Sequence, residues 1–235
     1  MKNKKTILAT LALGLIAAPT ILTANVYAAD SNATVEFTAP TDSVDPVDPE
    51  DPSQPGDVDE DDGNITGETG PFTLDYVSHI DFGSHEISPS SQVYNSTTER
   101  PYIQVSDRRG TGEGWNVTAS ASTFNDGSDP SLPGSVISFA DGDAISASTT
   151  DGPTVNGSID LATGGDAVQV ASAEARESGA ALNTAEGLGT WVVRWLSEDT
   201  TDTNEKVSLN VPEASATEGN HTSTITWTLT SGPGQ

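Results

Sequence analysis

The chain has 235 residues, with nine Lys and Arg against 35 Asp and Glu, a formal net charge of −26 and no cysteine. Such a charge repels nucleic acid and anionic membrane surfaces, so nucleic-acid binding is excluded. The missing cysteines exclude disulfide staples and zinc–thiolate sites, which leaves a hydrophobic core to hold whatever fold forms.

Lys2, Lys4 and Lys5 precede an apolar run from Ile7 to Ile21 and the small-residue site Val26-Tyr27-Ala28. These are the three parts of a secretory signal peptide, expected over residues 1–28 with cleavage before Ala29. Thr10, Gly14, Pro19 and Thr20 interrupt the run, which is short for a spanning helix. No second apolar segment and no Leu-Pro-x-Thr-Gly sorting motif follows. The expectation is a secreted, extracellular chain with no membrane insertion after cleavage. Removing 1–28 takes three basic and no acidic residues, so the mature charge is −29.

Residues 29–70 read as a different polymer. "TDSVDPVDPEDPSQPGDVDEDDGN" repeats Asp-Pro and carries no basic residue. Low hydrophobicity, high charge and recurrent proline predict a disordered acidic spacer. A calcium loop is the sharper reading, because Asp57, Asp59 and Asp61 alternate as in an EF-hand. The glycine that such a loop requires comes one position late, at Gly63.

From residue 71 to 235 short alternating runs take over. Phe72, Leu74 and Tyr76 alternate, as do Ile103 and Val105, then Trp115, Val117, Ala119 and Ala121. Ile137 with Phe139, Val168 with Val170, Trp191 with Val193 and Trp195, Val207 with Leu209 and Val211, and Ile225 with Trp227 and Leu229 continue the pattern. Gly, Pro, Asn and Asp clusters punctuate it. The prediction is an all-β fold, an antiparallel β-sandwich or barrel-like domain. One short helix is expected within the alanine- and glutamate-rich stretch that starts at Ala167. Trp191 and Trp195 share a face with Val193, while Val192 and Leu196 point the other way, so this strand is expected at a central position.

Two stretches carry the functional signal. "GWNVTASAS" (114–122) places Trp115 and Val117 on one face of a strand, and "TSTITWTLTSGPGQ" (222–235) does the same with Trp227 and Leu229. Asn116 and Thr228 point the opposite way. Such indole-led stripes serve either as core packing or as a platform for a sugar ring, which suits a large rigid apolar face with a polar N–H at its edge. Ala119 and Ala121 leave room beside the first stripe for something bulky.

Catalytic signatures are sparse. His79, Asp81 and His85 could share a strand face and seat a metal, but Gly83-Ser84 predicts a turn between them. No Gly-x-Ser-x-Gly elbow, His-Glu-x-x-His pair or phosphate loop occurs. The chain is expected to be no enzyme and to need no cofactor; a wall hydrolase is the enzymatic alternative.

Taken in order, "LDYVSHIDFGSHEIS" (74–88), "DRRGTGEGWNVTASASTF" (107–124), "GLGTW" (187–191), "VSLNVP" (207–212) and "HTSTITWTLTSGP" (221–233) resemble the WxL domain family of surface proteins from low-GC Gram-positive bacteria. The resemblance covers residues 70–235. The first motif has valine at 117 where the family usually has leucine, which keeps the face and shortens the reach. The resemblance implies non-covalent attachment to the cell wall through peptidoglycan, with Trp115, Asn116, Val117, Trp227, Thr228 and Leu229 as contact residues. It also implies a second reading, an assembly protein docked on a membrane-anchored partner protein.

Overall fold

The computed structural model describes residues 27–58, 62–197 and 203–232. The signal-peptide reading of residues 1–26, and Asp59 and Asp61 of the calcium reading, lie outside the described residues. The chain divides into a unit 1–37 and a unit 38–235. In the first, residues 27–37 are exposed and without regular structure.

Among its described residues the second unit holds thirteen strands. The first seven are β1 (Gly63–Ile65), β2 (Phe72–Ser78), β3 (Gln92–Ser96), β4 (Tyr102–Asp107), β5 (Trp115–Ala121), β6 (Val136–Ala140) and β7 (Asp143–Ile145). The remaining six are β8 (Thr154–Val155), β9 (Ser158–Ala162), β10 (Val168–Ala173), β11 (Gly189–Arg194), β12 (Asn204–Val211) and β13 (Ile225–Ser231). They form three antiparallel sheets, ordered β1-β2-β4-β11-β7, β13-β5-β10-β8 and β3-β12-β6-β9. The arrangement is sandwich-like and not closed into a barrel. One apolar core is shared by all three. Ile103, Val105, Val193 and Trp195 come from the first sheet; Trp115, Val117 and Ala119 come from the second; Ile137, Phe139, Leu161 and Leu209 come from the third.

The alternation in the sequence becomes in-out packing on most strands, because successive side chains point to opposite faces. β5 reads buried at every odd residue, and β12 is buried at Val207, Leu209 and Val211. In β2 the alternation is broken. A bulge between Leu74 and Tyr76 shifts the register against β4, so Leu74 enters the main core while Tyr76 joins a second cluster with Tyr102 and Val192 on the far side. The strand bearing Trp191, with Trp195 just past its end, is interior to its sheet, with β4 and β7 on either side. The short helix expected after Ala167 does not form. Val168–Ala173 is a strand instead, because Ala171 and Ala173 pair with Val117 and Trp115 on β5, and only one turn of 3₁₀ helix remains, at Leu182–Thr184.

Residues 42–58, expected to be a structureless spacer, lie as a strap across the outer face of the first sheet. Pro46 and Pro49 are buried there, and Val47 and Val58 pack on the second cluster, where Tyr76 and Tyr102 stack at 4.4 Å. Three arginines hold the strap. Arg108 donates to the Asp42 carbonyl at 2.6 Å and to its carboxylate at 3.2 Å; Arg194 donates to the Pro49 carbonyl at 2.6 Å; Arg100 lies 4.0 Å from Asp48. Buried Gln104 receives the Val47 N–H at 2.8 Å and donates to the Asp45 carbonyl at 3.1 Å and to Asp75 at 3.0 Å. Asp75, 2 % exposed, also accepts from Thr73 and Ser106, each at 2.6 Å. Burial pushes its carboxyl above the ordinary range despite these three donors. Proline already restricts the free chain, so fixing an Asp-Pro segment costs less entropy than composition alone implies.

Candidate functional site

The two motif strands are neighbours. β13 pairs antiparallel with β5 over seven residues, setting Trp227 opposite Ala119, Leu229 opposite Val117 and Ile225 opposite Ala121. The bulky group that fills the room beside the alanines is therefore the other motif's own indole. Trp115 and Val117 are fully buried. In this conformation they offer no surface to a ligand. Trp227 is partly buried, 5.8 Å from the Phe139 ring and 6.0 Å from that of Trp195, in an aromatic cluster beneath the sheet. Leu229 is likewise partly buried, and Thr228 is exposed.

Trp115 is locked by its surroundings. Its indole N–H donates to the Gly187 carbonyl at 3.0 Å. Gly187 has φ +66°, and a Cβ there would collide with the indole nitrogen, so the "GLGTW" segment needs glycine at this point for both reasons. At the same end of the strand pair stands Arg109, which sequence reasoning did not single out. It bonds Asp107 at 2.7 Å, Glu113 at 3.1 Å, the Gly114 carbonyl at 2.9 Å and the Ser231 hydroxyl, and its guanidinium lies 3.9 Å over the Phe72 ring. The hydrogen bond to Asp107 raises the guanidinium's affinity for its proton further. One cation thus ties the residue before Trp115 to the last residue of β13. The signal for it was faint: two adjacent arginines in a chain with nine basic residues.

The outer face of the same strands carries the middle residues of both motifs. Asn116, Thr118 and Ser120 stand opposite Thr230, Thr228 and Thr226, and Gln169 and Ser172 on β10 extend the rows. Gln169 donates to the Asn116 side chain at 2.9 Å. The hydroxyls of Thr118, Ser120, Thr226 and Thr228 make no hydrogen bond among the described residues, and those of β13 are exposed. The four strands of this sheet contain 22 residues and not one Asp, Glu, Lys or Arg. At the chain's overall 19 % charged content, about four would be expected. The other two sheets each carry several.

Beside β13 opens a cavity of about 970 Å³. Trp227, Tyr94, Phe124, Leu209 and Val211 make its apolar floor, and residues 77–87 on one side and 216, 217 and 219–225 on the other make its two walls. His85 stacks on Tyr94 at 3.9 Å and bonds the Phe82 carbonyl at 2.6 Å. His221 bridges Ser131 and the Thr217 carbonyl, each at 2.9 Å. Gly83 takes φ +74° and Asp81 caps its N–H at 2.9 Å, which makes the turn expected between His79 and His85. Among the described residues no three His, Asp or Glu side chains gather as a metal site would need.

The WxL domain model, described as surface cell wall-binding, matches residues 24–233. Nothing matches the chain among curated proteins or among solved structures. The matched segment takes in both motif strands, the intervening sheets and the acidic strap, nearly the whole sequence, and on that coverage the chain belongs to the WxL domain family.

Proposed function

Proceeding from membership of a cell wall-binding family, we propose that this domain attaches to peptidoglycan without a covalent bond, and that the glycan lies on the outer face of β13, β5 and β10. The observation that carries this reading is the neutral sheet in a chain of charge −26. A glycan presents hydroxyl and amide groups and little charge, and it matches rows of hydroxyls and amides spaced about 4.8 Å across strands and about 7 Å along them. The inward tryptophans serve this face by packing it flat from below. Asn116 and Thr228 remain contact residues on this reading, and Trp115, Val117, Trp227 and Leu229 act as their support. The domain binds and carries out no hydrolytic step.

The test is co-sedimentation of the purified mature chain with isolated, protein-free walls. A triple variant, Thr118→Val, Thr226→Val and Thr228→Val, keeps β-branched side chains and strand propensity while removing three hydroxyls. It is expected to keep its melting temperature and to lose wall binding about tenfold or more. Wild-type protein that stays in the supernatant unless a second protein is added would overturn direct attachment. A clearing band on a peptidoglycan zymogram would overturn the non-enzymatic reading.

A further inference from the structure

Edge strands expose unpaired N–H and C=O groups, and folded proteins blunt them with shortness, charge, bulges or proline. Most edges of this molecule are blunted. β1, β7 and β8 have three, three and two residues. β9 carries Asp160 on a five-residue edge, and the five residues of β3 meet β12 through an irregular register. β13 has none of these devices. It is seven residues long, regular in register, free of charge and proline, and paired only with β5.

Its hydrogen-bond phase fixes what the open edge offers. Ser122 N–H bonds the Thr224 carbonyl at 2.9 Å, and Gly232 N–H bonds the Gly114 carbonyl at 3.0 Å. Even-numbered residues of β13 are thus turned toward β5, so the N–H and C=O groups of Ile225, Trp227, Leu229 and Ser231 point away from it. Ile225 and Trp227 also line the 970 Å³ cavity, whose far wall is the segment 77–87.

From this we infer that the cavity beside β13 is a slot for an extended peptide segment of a different protein, taken up by strand addition. The incoming strand pairs with the free backbone groups at 225, 227, 229 and 231. Its alternate side chains are apolar and descend on the Trp227 side toward Tyr94, Phe124, Leu209 and Val211; the others lie level with the threonines. Charge selects the kind of partner. Asp81 and Glu86 line the slot and the whole chain stands at −26, so a neutral or basic segment is accepted, while an acidic one, or a second copy of this chain, is repelled. This inference is independent of glycan attachment, since it uses the edge and the underside of β13 and not its outer hydroxyls.

The experiment is panning of a library of random linear peptides on the mature chain, followed by amide hydrogen exchange with the best enriched peptide bound. Enriched peptides are expected to alternate apolar and polar residues, to favour Lys and Arg over Asp and Glu, and to slow exchange at Ile225, Trp227 and Leu229 by tenfold or more. Thr226, Thr228 and Thr230, already bonded to β5, should change little. N-methylation of alternate peptide amides should abolish binding, which keeps the test clear of any folding defect in a protein variant. No enrichment, or binding that leaves those three amides unprotected, overturns the inference. Sedimentation that shows self-association through β13 overturns the choice of a different protein as occupant.

Discussion

Two sheets of this molecule treat their outer faces in opposite ways. The β1-β2-β4-β11-β7 sheet buries its outer face under an acidic strap, held by Arg100, Arg108 and Arg194 and by the buried Gln104–Asp75 pair. The β13-β5-β10-β8 sheet leaves its outer face bare, and keeps that face free of charge although the chain has 35 acidic residues. Charge is spent on holding the chain together at one face and withheld at the other. A surface kept neutral against such a background is one that a weakly charged partner can approach, whereas the strapped face is closed by its own chain.

The contrast is sharpest when its supports are removed. Trp115→Ala is expected to cost about 3–5 kcal/mol in denaturant unfolding, because a fully buried indole and its bond to Gly187 are both lost. Trp227→Ala, at a partly buried site, should cost visibly less. A Trp115→Ala protein of unchanged stability that fails to bind walls would make the indole a contact after all. Arg109→Ala should cost about 3 kcal/mol, since it leaves the Asp107 carboxylate, whose side chain is 0 % exposed, without its cation. Glu113→Ala, on the exposed partner of the same guanidinium, should cost under about 1 kcal/mol.

At the strapped face, Arg194→Ala should lower stability by about 1–2 kcal/mol through the lost bond to the Pro49 carbonyl, and leave wall binding unchanged. Loss of wall binding in a protein that remains folded would place the contact under the strap instead. Asp75 supplies a pH signature. Its carboxyl titrates above the unfolded value because it is buried, so the folded state binds the proton more tightly. Its contribution to stability is most favourable below the unfolded value and declines as pH rises through the raised one. Relative to Asp75→Asn, the wild type should therefore be more favoured near pH 3 than near pH 7, as measured by denaturant midpoints at each pH. The smallest effect is expected from salt. Wall binding through the neutral face should change by less than about threefold between roughly 0.05 and 0.5 M salt, and a steep decline would point to ionic contacts.

Much of the architecture is legible in the residues. Period-two alternation marks β4, β5, β6, β12 and β13, and the apolar residues it picks out are those the core contains. Other features escape it. The bulge that turns Tyr76 to the opposite side of Leu74 leaves no trace in an uninterrupted F-x-L-x-Y pattern. The alanine-rich run after Ala167 has helical propensity, yet pairing with β5 overrides it. Asp-Pro repeats have the composition of a free linker, and the arginines brought together from the end of β4, from β11 and from the β3–β4 connection, with Gln104 and the tyrosine pair, make a docking surface for them.

The residues alone place both motifs on strands with Trp115 and Val117, or Trp227 and Leu229, on one face and Asn116 or Thr228 on the other, because side-chain direction along a strand is a local property of the backbone. Long-range packing is what makes these two strands partners, turns their indoles into the core, and gathers the outward rows on a sheet that is uncharged among the described residues. Strand pairing joins residues more than a hundred positions apart, and its register follows from how whole faces bury together rather than from any local preference.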